Sequence, residues 1–167
     1  FVVKPISIGR PTQYLGNKVS YLQLDNGNHD WGFSSSQYVQ NAVKNVEQHL
    51  AREGNSLPTR VKSCWTTNYR PEIDVTPELS SQKAAYYQSL IGVLRWITEL
   101  GRADICMETS AMASMMASPR QGHLEQLFHM FAYLRIKHNS LMVFDPTEPD
   151  IDEKQFVRED WTAAPYG

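Results

Sequence analysis

The sequence predicts an α+β fold in which helices dominate: an N-terminal β-hairpin, about four helices and an extended acidic tail. Three observations predict it. Asn26-Gly27 separates two apolar-rich, strand-like runs, a strong short-range hairpin signal. Several long stretches between residues 34 and 140 then carry apolar residues at helical spacing. Finally, residues 141–167 hold seven acids against Lys154 and Arg158, a net of −5, which leaves +3 on the rest of a chain whose total is −2. The expected divisions are residues 1–33 for the hairpin, 34–140 for the helical domain with a loop at 53–79, and 141–167 for an acidic linker.

Each element has its own signal. Tyr14 to Leu24 roughly alternates apolar and polar residues, and Trp31-Gly32-Phe33 follows the turn, so the two make a hairpin. Ser34, Ser35 and Ser36 offer N-cap oxygens, with Gln37 in a capping-box position. Tyr38, Ala42, Val43, Val46 and Leu50 then share a helix face, which Gly54 terminates. Residues 53–79 contain Pro58, Pro71 and Pro77 with little periodicity, and read as a loop draped over the surface, with Leu57, Val61, Trp65, Tyr69, Ile73, Val75 and Leu79 spread thinly enough to act as separate anchors. A helix from Ser80 to Leu100 sets Tyr86, Leu90, Val93, Leu94, Ile97 and Leu100 on a face widened by Tyr87 and Ile91, with Gly92 expected to permit close packing. Gly101 ends it. A third helix starts near Ala103 or Asp104, carries Ile105, Thr109, Met112 and Met116, and stops at Pro119. The last, from Arg120 to His138, places Leu124, Leu127, Phe128, Phe131 and Leu134 together, with Asn139 as its C-cap and Leu141–Phe144 as a possible short strand.

Composition is that of an ordinary globular protein, 41% apolar and 20% charged. No apolar run approaches the ~18–20 residues of a membrane span, so no membrane partner is expected. Phe1 opens inside a strand-like stretch, which reads as an internal piece of something longer. Cys64 and Cys106 have no metal-type spacing and read as two reduced thiols. The five His form no ligand cluster, and the acidic tail lacks the central Gly of a calcium loop, so no metal site is expected. GxSxG, GxGxxG and GxxxxGK[ST] are all absent, and no catalytic residue is assigned. The stripe Met107, Met112, Met115, Met116 and Met130 reads as core rather than a binding groove.

Basic residues are more suggestive. Arg102, Arg120, Arg135 and Lys137, with His123 and His138, fall near the ends of the last two helices. Arg135 lies within the apolar arc of the last helix and needs either an acidic partner, Asp104 or Glu99, or a phosphate.

These helices resemble the reverse transcriptase of copia-like retrotransposons. The residues concerned are Tyr87-Gln-Ser-Leu-Ile-Gly-Val-Leu-Arg-Trp-Ile, Gly101-Arg-Ala-Asp-Ile105, Pro119-Arg-Gln-Gly-His123 and Ala132-Tyr-Leu, in the family's order. Upstream, Ser7-Ile-Gly-Arg-Pro, Tyr14-Leu-Gly16 and Ser35-Ser-Gln-Tyr-Val39 also resemble it. Ala103 stands where the family has Pro, Trp96 where it has Tyr, and Ala132 where it has Arg. The resemblance implies the region after the polymerase palm: a primer-grip hairpin, a helical thumb and a connection toward RNase H. The paired aspartates that hold two Mg2+ would lie upstream and the RNase H carboxylates downstream, so no cofactor is expected on this chain.

The partners so implied are an RNA/DNA template–primer duplex and the palm and RNase H regions of the same polyprotein, in an intracellular, cytoplasmic virus-like particle. Tyr14, Leu15 and Gly16 are the candidates for the primer grip. Arg102, Arg120, Arg135 and Lys137 are those for phosphate contact, and His123 is a further nucleic-acid-binding candidate. The competing expectation is a degenerate or domesticated helical module that binds protein and carries no polymerase.

Overall fold

The computed structural model describes residues 9–145; the expectations for residues 1–8 and for the acidic tail at 146–167 lie outside it. Within that range the fold is α+β and helix-dominated. β1 (Gln13–Tyr14), β2 (Asn17–Gln23) and β3 (His29–Ser34) precede α1 (Ser36–Arg52), α2 (Ser81–Glu99), α3 (Cys106–Ala113) and α4 (Gln121–Ile136), and β4 (Met142–Phe144) returns to the sheet. The sheet is wholly antiparallel in the order β1-β2-β3-β4. Among the described residues, no helix is long and apolar enough to cross a membrane.

The hairpin forms at Asn26-Gly27, but not through a two-residue turn. Gly27 N–H donates to Leu24 O, Leu24 N–H to Asn28 O, and only Gly27 has a positive φ, +84°. This is a three-residue connection with glycine at its left-handed position. A second hairpin splits the expected long strand, because Leu15 (φ +48°) and Gly16 (φ +89°) reverse the chain between Tyr14 and Asn17. β4 pairs Met142 with Phe33, so residues expected in the linker belong to the sheet.

The helices follow their apolar faces. Val39, Val43, Val46 and Leu50 of α1, Tyr87, Leu90, Ile91, Leu94 and Ile97 of α2, Met112 of α3, and Leu124, Leu127, Met130, Phe131 and Leu134 of α4 form one core. Gly54 and Gly101 end α1 and α2 as expected. Each takes a positive φ, and the two residues at each end close paired bonds: Gly54 N–H to Ala51 O with Asn55 N–H to Leu50 O, and Gly101 N–H to Thr98 O with Arg102 N–H to Ile97 O.

Four expectations change. Gly92 is exposed, with nothing within 4 Å of where a Cβ would stand, so it permits no close packing. α4 stops at Ile136, capped at Lys137 rather than Asn139. Met107 is 81% exposed, whereas Met112 and Met130 are fully buried. The loop at 53–79 is no surface drape: its expected anchors Leu57 and Val61 enter the core together with Cys64, while Ile73 and Val75 stay exposed.

Candidate nucleic-acid interface

The structure separates the expected site residues into four groups. Tyr14, Leu15 and Gly16 form an exposed turn at one end of the sheet. It is tied to the helices by Asn17, whose Nδ2 donates to Leu100 O at 2.9 Å. A leucine in the left-handed region is strained, since its Cβ crowds the following carbonyl. The Tyr14 ring lies 5.9 Å from that of Phe33, which meets Phe144 edge-on at 4.9 Å. With Asn17, Leu100, Cys106 and Met142 these rings line a groove of about 290 Å³.

Arg102 and His123 are placed in the interior, 1% and 3% exposed, which corrects the expectation that either reaches nucleic acid. The Arg102 guanidinium forks onto Asp104, with Nε donating to Oδ1 and Nη2 to Oδ2, both at 2.7 Å. The Asp104 carboxylate is therefore engaged by Arg102 instead of capping a helix. Tyr133 Oη adds a third bond at 3.2 Å. Hydrogen bonding to Arg102, opposed by burial and helped by its charge, holds the Asp104 carboxyl below the usual carboxylate range. Its stabilising effect is present above about pH 4 and is lost as pH falls through the depressed value.

His123 fastens the start of α4. Its Nδ1 accepts from Arg120 N–H at 3.0 Å, which leaves Nε2–H to donate to Pro71 O at 3.0 Å. Beside it the Asp74 carboxylate accepts from Tyr69 Oη, Thr76 N–H and Thr76 Oγ1. Burial raises the Asp74 carboxyl, but the bonds from Thr76 and Tyr69 outweigh it and hold the group low. Gly122 N–H donates to Thr76 Oγ1 at 2.9 Å, and a Cβ on Gly122 would overlap Asp74 Oδ2.

Arg120 and Arg135 are half-buried and engaged within the chain. Arg120 Nη1 donates to Thr76 O at 2.7 Å and Nη2 reaches Glu78 at 3.4 Å. Arg135 pairs with Glu47 at 3.2 Å and donates to Pro58 O at 2.7 Å, not with Asp104 or Glu99. Lys137 is exposed, with no ion pair among the described residues.

Sequence reasoning missed Arg60 and Lys62, which it left inside a loop. Both are exposed and outside every ion pair of the described residues. They line a groove of about 510 Å³ with Trp65 and, from α4, His129 and Ile136. The alternation of Arg60 and Lys62 with buried Val61 was the available signal. The other thiol, on Cys64, is buried, and desolvation with the nearby Glu108 and Asp104 charges pushes it up to about 12, so it is no nucleophile. No group of three or more His, Cys, Asp or Glu able to hold a metal occurs among the described residues.

No family model, no curated protein and no solved structure matches the chain.

Proposed function

We propose that this chain is the post-palm part of a copia-like reverse transcriptase, and that it binds and positions the RNA/DNA template–primer duplex. One observation carries the reading: residues of the motifs behind the resemblance hold structural positions that tolerate few alternatives. Tyr87 Oη donates to Met112 O at 2.6 Å across the core. Gly101 takes a left-handed φ, Arg102 and Asp104 form a fork, and Gly122 and His123 lock the start of α4. Motif residues that act as fasteners support a shared architecture, with the exposed Gly92 of the first motif as the exception.

Binding then rests on exposed cations, with Lys137 retained from the sequence reading, and on the exposed Tyr14–Gly16 turn at the primer end. Contacts of this kind meet phosphates and are indifferent to base sequence. The chain is expected to bind RNA–DNA hybrids of unrelated sequence equally at ~50 mM salt and much more weakly at ~150 mM. Fluorescence anisotropy with a labelled hybrid measures this. Absence of binding at the lower salt contradicts the proposal.

That negative result would favour the second reading, a protein-interaction module. Its support is the groove bordered by exposed Tyr14, Leu15, Met142 and Phe144.

A further inference from the structure

We infer that the groove between residues 59–67 and α4 binds a nucleotide of a single-stranded nucleic acid, with its phosphate on Arg60 and Lys62 and its base on Trp65. The inference rests on the nucleic-acid reading above and names a site and a strand type within it.

The groove is built on a fixed frame. Val61 and Cys64 are buried, so the chain between them is anchored at both ends while Arg60 and Lys62 project outward. Gln126 of α4 holds the same segment through both ends of its amide: Nε2 donates to Cys64 O at 3.1 Å and Oε1 accepts from Thr66 N–H at 3.3 Å. His129 Nε2 meets Ser63 O at 3.0 Å, and Ser63 Oγ donates to Trp65 O at 2.7 Å. The indole N–H of Trp65 donates to Tyr69 O at 2.9 Å, which fixes the ring in the wall.

Among the described residues no acid lines this groove, and its volume of about 510 Å³ lies within the ~300–1,000 Å³ of small-ligand sites. Two cations with no acidic partner among the described residues attract an anion. A half-buried Trp face beside them adds a requirement for a flat, stackable group. A paired duplex presents phosphates but keeps its base faces stacked inside, so it would leave Trp65 unused. An unpaired nucleotide uses both features.

The test uses the whole chain with a labelled short oligothymidylate, an abasic oligonucleotide of equal length and charge, and an RNA–DNA hybrid. Oligothymidylate is expected to bind about tenfold tighter than the abasic strand, the effect of one stacked base. Arg60→Ala plus Lys62→Ala is expected to lower the log–log salt slope for oligothymidylate by roughly 1.4, from two lost phosphate contacts. Both side chains are exposed, so the double variant keeps its wild-type unfolding midpoint. Equal affinity for the abasic strand, or an unchanged slope, overturns the inference while hybrid binding leaves the broader reading standing. A polyglutamate peptide that competes as well as oligothymidylate also overturns it, in favour of an acidic protein partner. Failure of both oligothymidylate and hybrid to bind at ~50 mM salt overturns the inference and the broader reading together.

Discussion

Gly122 sits where a side chain has no room, against the carboxylate that organises the turn before α4. Gly122→Ala is therefore expected to cost about 1–3 kcal/mol, the usual range for overpacking, seen as a lower urea midpoint with unchanged slope. The sequence shows a glycine and a histidine side by side here, but not that Asp74, far upstream, lies against them. Charge was legible residue by residue, whereas pairing was not. Arg102 finds its partner two positions away, while Arg135 finds Glu47 across 88 positions of chain. Arg102 read as a free cation and Arg135 was matched to the wrong acids, because periodicity locates a side chain on its own helix and says nothing of the opposing element.

At the scale of elements, periodicity and caps were sufficient for the helices. α1 and α2 begin and end within a residue or two of their serine and glycine signals, although only Ser80, at α2, accepts a side-chain cap bond, and Ser35, at α1, makes none. Turns were harder. Leu15-Gly16 reverses the chain although leucine disfavours positive φ, so only Gly16 hinted at the split between β1 and β2. The loop at 53–79 gave no periodic signal because its anchors enter the core singly. Gly92 tests the packing of α2 directly. It is exposed in mid-helix with open space beside it, so Gly92→Ala should stabilise the protein by about 0.5–1 kcal/mol. A thermal scan showing destabilisation would mean that another surface packs there.

Across the whole molecule, the chain closes on itself: β4, from the far side of four helices, completes a sheet begun by β1 to β3. The fold class was legible because it sums many local signals, and the sheet order was not because it depends on one distant strand. The candidate interface divides in the same way. Tyr14–Gly16 and Lys137 stand exposed where the sequence suggested a contact, while Arg102 and His123 hold the interior together. Arg60 and Lys62 emerge as binding candidates only once Val61 and Cys64 are seen to anchor the loop between them.

The proposed division of labour, with motif residues fastening the fold and other cations gripping the ligand, has one direct test. Affinity for an RNA–DNA hybrid with a single-stranded template overhang is measured over a salt series for three proteins. They are the wild type, Arg120→Ala, and Arg60→Ala plus Lys62→Ala. The account predicts that Arg120→Ala keeps the wild-type salt slope, while the double variant loses roughly 1.4 of it. A slope lowered by Arg120→Ala and untouched in the double variant would contradict it.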